Sequence, residues 1–187
     1  KGFVEQVVEA VFSTRKTDVA EVMAGELDVT RDALVQKIGE NIGVRRVQLI
    51  NADAGVVGAY VHSNSRIAVL VELKGGDQDL AKDVAMHVAA VNPKVVSADD
   101  MPEAVLTQER EIYTAQAQDS GKPPQIIEKM IGGRLKKFLA ENSLIEQPFV
   151  KDPDMTIGKL VSSAGAEVLS FARFEVGEGI EIEKMDF

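Results

Sequence analysis

The stretch GVVGAYVHSNSRIAVLVELKGGDQDLAKDVAMHVAAVNPK, Gly55 to Lys94, decides the fold. GVVGAYVH and RIAVLVELK are rich in β-branched residues and are separated by SNS, a short turn-forming cluster, so they read as consecutive strands. After GGD the period changes. Asp77 can cap a helix that runs to Asn92, where Pro93 stops it. At about 100° per residue, Leu80, Val84, Val88 and Val91 fall on one apolar stripe. Ala81, Ala85 and Ala89 form a second face, small enough to lie close against a sheet. Strands followed by a helix with such a face make an α+β unit.

Before this unit, Phe3, Val7, Val8 and Val11 follow helical spacing, as do Leu34, Val35, Ile38 and Ile42, which predicts two helices before residue 43. VRRVQLI, Val44 to Ile50, reads as a strand set off by the turn NADAG, so that three strands in sequence would form a meander. After the unit, residues 101–119 are mostly polar, with Val105, Leu106, Ile112 and Tyr113 repeating at seven residues. Ile127, Met130, Ile131, Leu135 and Phe138 give a fuller stripe, and SGKPP between the two predicts helices returning antiparallel as a projecting hairpin. The tail adds a short helix over MTIGKLVSSAG, with Thr156 as cap and Gly165 past its end, and then the strand EVLSFARFEV.

With the hairpin set aside, residues 55–176 read strand, strand, helix, helix, strand, and residues 1–50 read helix, helix, strand. The second half looks like the first with its opening strands restored. Aligning Phe3, Val7 and Val11 with Leu80, Val84 and Val88 places Ala10 where His87 stands. The fold class expected is therefore α+β, with two similar subdomains of antiparallel sheet packed with helices and an inserted antiparallel coiled-coil hairpin. The segments are residues 1–54, the remainder of a first core subdomain, and 55–100, the first part of a second. Residues 101–142 are the coiled-coil hairpin, and 143–187 close the second subdomain with a helix and a strand.

Composition narrows the chemistry. The 187 residues are 45% hydrophobic, enough to bury a real core. A formal net charge of -9 opposes a general grip on phosphate backbones or anionic membranes, so neither nucleic acid nor membrane is an expected partner. Cysteine is absent, which excludes disulfides and thiolate sites. The longest apolar run, IAVLVEL, is far short of the ~20 residues of a membrane span, and no signal peptide opens the chain, so a cytoplasmic protein is expected. The first segment is already in helical rhythm and EKMDF runs on without a stop signal, so the chain reads as a fragment of something longer.

Two histidines are the only candidates for unusual chemistry. His87 lies at the edge of the apolar stripe beside Asp83, one turn earlier. It reads either as a packing histidine held by Asp83 or as a polar anchor on a surface that meets a partner protein, making one directed hydrogen bond. His62 precedes SNSR in a hairpin loop. The pair lacks metal-motif spacing, and no HExxH accompanies it. VGEGIEIE misses the third glycine of a dinucleotide fingerprint, GGRLKK misses the Walker spacing, and no GxSxG elbow is present. The inventory points to a binding protein without cofactor or metal, not to an enzyme.

Four segments together, KIGENIGVRRV, DVAMHVAAVNPK, SGKPPQIIEKMIGGRLKKFLAENSLIEQPFV and FARFEVGEGIE, resemble the bacterial translation elongation factor Ts family. The resemblance implies a guanine nucleotide exchange factor for elongation factor Tu, active in translation elongation. It also implies a core of two similar α+β subdomains with a coiled coil inserted in the second. The family's N-terminal domain and its TDFV stretch, whose Asp and Phe act on the nucleotide site of Tu, would lie before Lys1, and its C-terminal helix after Phe187. The histidine of the family's AMHVAA helix takes part in the Tu contact. That residue here is His87, with Met86 and Asp83 beside it, and the nearby strand loop makes His62, Asn64 and Arg66 further partner-binding candidates. A homodimer or a larger complex containing Tu is compatible with this. The rival reading is an adaptor or oligomerisation module working through the coiled-coil hairpin.

Overall fold

The computed structural model describes residues 2–52, 55–118 and 121–179. Part of the NADAG turn, the hairpin tip at residues 119–120 and the end of VGEGIEIE lie outside the described residues. The chain divides into two compact units, Lys1–Asn51 and Ala52–Phe187.

Among its described residues the first unit contains α1 (Gly2–Thr14), α2 (Val19–Met23) and α3 (Glu26–Ile38). Val7, Val11, Val22 and Met23 form its core, and Phe3, Val19, Leu27, Val44 and Val47 pack around them. Asp18 starts α2 by accepting the Glu21 N–H at 2.9 Å, and Gly39 ends α3 with φ 78°. Sequence periodicity missed α2, which is too short to show a period, and carried the last helix beyond Gly39.

The strand expected over Val44–Ile50 is not formed; the segment has no regular secondary structure. A strand exists only through its ladder, and no strand of the first unit is described to pair with this one. Its valines serve the helical cluster instead.

In the second unit β1 (Val56–Val61) and β2 (Ile67–Lys74) form the expected hairpin, with Val56 opposite Leu73 and Val61 opposite Ala68. The third strand comes from the far end of the chain. β5 (Glu167–Glu175) pairs antiparallel with β2 in the order β1-β2-β5, replacing the meander through Val44–Ile50. Around α4 (Gln78–Val91), Val69, Val71 and Leu73 of the sheet meet Ala81, Val84, Ala85, Val88 and Ala89 in one core. Asp77 accepts the Leu80 N–H at 2.8 Å at the start of α4, and Asn92 ends it at φ 55°.

α5 (Glu103–Gln118) and α6 (Pro124–Asn142) pair as the helical hairpin. Arg134 of α6 bonds Gln116 of α5 at 2.7 Å and stacks over Tyr113, one turn back, as antiparallel helices require. The segment that leaves α4 is fastened to the end of α6. Lys94 and Val95 N–H reach the Asn142 carbonyl at 2.9 and 3.2 Å, and Leu144 N–H reaches the Val95 carbonyl at 2.9 Å. After α6, β3 (Pro148–Phe149) and β4 (Asp152–Thr156) form a small second hairpin that leads into α7 (Ile157–Ser163). Thr156 caps α7 through the Lys159 N–H at 3.3 Å. The observed class is α+β.

Candidate partner-binding site

α4 presents one polar side chain to the interior, and it is His87. The residue is 0% exposed, so the expectation that it stands on the surface as a direct partner contact is corrected, although it does lie on the flank of the apolar stripe. The reason is tertiary: helical geometry locates the sheet face, while the chain after α6 returns and covers the flank on which His87 stands. Phe149 lies against it, with ring centroids 6.2 Å apart.

Both ring nitrogens are engaged. Nε2 is 2.9 Å from Gln147 Oε1, and Nδ1 accepts the Val150 N–H at 3.3 Å. Burial pushes the imidazole pKa below its ordinary value, against the smaller opposing effect of the Gln147 hydrogen bond. The ring is held neutral and serves as a two-ended brace between α4 and the β3–β4 turn.

Asp83 does not orient His87. Its Oδ1 pairs instead with Lys151 Nζ at 2.6 Å, a partly exposed bridge that closes over the same turn. Met86 is half-buried. Val150, at the turn itself, is 42% exposed although its N–H is tied to the buried ring. The outcome is a backbone anchored by a hydrogen bond and carrying an exposed apolar tip.

The β1–β2 turn holds the other three candidates. His62 is half-buried, and its Nδ1 lies 3.2 Å from Tyr60 Oη. Asn64 and Arg66 are exposed. Asn64 Oδ1 accepts the Arg66 N–H at 2.9 Å, and Ser65 sits at φ 56° with its N–H on the His62 carbonyl at 2.8 Å. The Arg66 carbonyl accepts the Val176 N–H at 2.8 Å, which carries the β2–β5 pairing one step past the strands. The turn is therefore shaped by its own side chains. His62 and His87 belong to separate hydrogen-bonded sets, one closed by Tyr60 and the other by Gln147.

Gln147, Phe149, Val150 and Lys151, which surround His87 and Asp83, were not singled out from the sequence, nor was Tyr60 beside His62. The available signal was Gln147 itself, an uncharged polar residue among Leu144, Ile145 and Phe149 in a segment reading as structured; buried there, it must find partners. Among the described residues no group of three or more His, Asp or Glu lies together as a metal site, and no helix is long and apolar enough to cross a membrane.

Comparison with known proteins places this geometry in context. A family model described as "Elongation factor TS" matches residues 1–178. The chain is 63% identical over 187 residues to elongation factor Ts of Teredinibacter turnerae, covering all of this chain and 64% of that protein. It is 62% identical over 186 residues to elongation factor Ts of Saccharophagus degradans, again covering the whole chain and 64% of the relative. For elongation factor Ts of Cellvibrio japonicus the identity is 60% over 186 residues, covering 63% of that protein. The chain thus spans somewhat less than two thirds of the length of these relatives.

Proposed function

The chain belongs to the elongation factor Ts family, and from that premise we propose that it binds elongation factor Tu and promotes GDP release by stabilising the nucleotide-free state of Tu during translation elongation in the cytoplasm. Such a factor needs no general acid or base, because it works by differential binding and makes or breaks no covalent bond. Whatever free energy it spends against nucleotide, nucleotide spends against it, since the coupling between two ligands of one protein is reciprocal. Couplings of this kind are on the order of 1 to 3 kcal/mol.

The observation that carries the reading is the braced turn. His87 cannot reach a partner as a side chain, but it fixes the backbone of Val150, and the exposed Val150 tip stands beside the Asp83–Lys151 bridge. An apolar tip rimmed by charge on a preformed support loses little freedom on docking. Half-buried Met86 on α4 is a further candidate contact, and His62, Asn64 and Arg66 would contribute through a turn shaped before binding. The names of the relatives favour a translation factor over the adaptor reading, and no feature of the α5–α6 hairpin outweighs them.

The test is release of a fluorescent GDP analogue from Tu, together with direct binding. Acceleration over spontaneous release is expected. Absence of both Tu binding and any change in release rate would refute the proposal.

A further inference from the structure

Three helices meet at one buried residue, Gln147. Gln147 is 3% exposed. Its side-chain oxygen faces His87 Nε2 of α4 at 2.9 Å, and its side-chain nitrogen donates to the Glu141 carbonyl near the end of α6 at 2.7 Å. Its backbone carbonyl accepts the Ile157 N–H at the start of α7 at 3.0 Å, and its own N–H donates to the Leu144 carbonyl at 3.2 Å.

The orientation of the amide follows from this arrangement. The Glu141 carbonyl can only accept, so it must receive the NH₂ group of Gln147, and the oxygen is left to face the imidazole. His87 Nε2 must then carry the proton. Nδ1 is bare in that tautomer, and a bare Nδ1 is what the Val150 N–H requires as acceptor.

We propose that Gln147 is the positioning residue of the partner surface: it fixes the tautomer of His87 and, through it, the exposed Val150 turn, and it ties both to the end of the α5–α6 hairpin. This rests on the proposed function. A shift of α6 at Glu141 would pull on the amide, and the amide is the link that passes the shift to α4 and the β3–β4 turn. Of the charged side chains on the packed elements, Asp83 of α4 and Lys151 of the turn pair with each other at 2.6 Å, and Glu141 of α6 pairs with Lys137 at 3.6 Å. These pairs leave the tautomer to be set by hydrogen bonding.

The experiment combines imidazole ¹⁵N NMR and amide exchange on the free protein with calorimetric binding to Tu, for the wild-type chain and for Gln147→Met. The wild type is expected to show the Nε2–H tautomer and a slowly exchanging Val150 amide. Gln147→Met leaves Nε2–H without its acceptor, so the Nδ1–H tautomer should become populated at the expense of the Val150 bond, with faster Val150 exchange and Tu binding weakened about tenfold. An Nδ1–H tautomer in the wild type overturns the proposal without any variant having to fold. So does a Gln147→Met protein that keeps the wild-type tautomer and is merely less stable, the mark of a packing role alone. A shifted tautomer with unchanged Tu affinity overturns the positioning role while leaving the proposed function standing. Failure of the wild-type chain itself to bind Tu overturns both, and is recognised without reference to Gln147.

Discussion

Replacing Gly58 with alanine tests the closest approach in the second unit. Gly58 is buried in β1, opposite Val71 of β2, on the side of the sheet that meets α4. A Cβ at this position would lie 2.7 Å from the Ala81 Cβ and would collide harder still with the Ala81 carbonyl group. Carbon atoms in contact prefer about 3.5–4.0 Å, so strand and helix must part by roughly 1 Å. The obstacle is backbone, which cannot rotate away, so the cost belongs at the upper end of the overpacking range, about 3 kcal/mol. Against this, alanine stiffens the unfolded chain and returns up to about 1 kcal/mol. The net expectation for Gly58→Ala is a loss of about 2 kcal/mol. Ala81→Gly in addition should not rescue it, because the carbonyl remains and a glycine within the helix costs about 1 kcal/mol more. The assay is urea unfolding followed by far-UV circular dichroism, where the midpoint should fall by about 1 M with the slope unchanged. An unmoved midpoint, or full rescue by Ala81→Gly, would show that the sheet and α4 are not in the tight contact described.

Two further outcomes follow from the same geometry. The unfolded chain takes up a proton at the ordinary histidine value of 6.5 while buried His87 resists it, so this contribution to stability is complete above that value and is lost as pH falls through 6.5 toward the lower folded value; denaturation at pH 7.5 and 5.5 should reveal a loss of up to about 1.4 kcal/mol per unit that His87→Gln reduces, and equal losses in both proteins would contradict the brace. Asp77→Ala should lower the thermal midpoint through loss of the α4 cap, at about 1 kcal/mol, whereas Asp77→Asn keeps an oxygen for the Leu80 N–H and should stay near wild type; similar losses from both would argue against the cap.

Local signals in the chain were strong where a residue type answers a backbone need. Asp77, Asn92, Thr156 and Gly165 mark element ends that the structure realises, because a cap or a left-handed turn is satisfied within a few residues. The α5–α6 pair was legible for a related reason: a repeated apolar stripe and a glycine-proline link require only that two helices fold back on each other. VRRVQLI failed as a strand because its β-branched content states a preference that only a neighbouring strand can realise. α2 escaped notice because five residues span less than two turns.

The candidate site divides the same way. Sequence by itself determined that His87 stands on the flank of α4, since 3.6 residues per turn assigns each position its angle whatever surrounds the helix. It also determined that the β1–β2 connection is a short turn, since SNSR closes through its own side chains. Only the tertiary structure decided that the flank is covered, that Gln147, sixty residues on, meets the imidazole, and that Asp83 turns away to Lys151. Those facts depend on the path of the chain after α6, and a helix cannot encode in its own period which distant segment will return to lie against it. Burial then changed the chemistry: the same histidine exposed would be a protonatable contact, whereas desolvated between an amide and a backbone N–H it is a neutral brace.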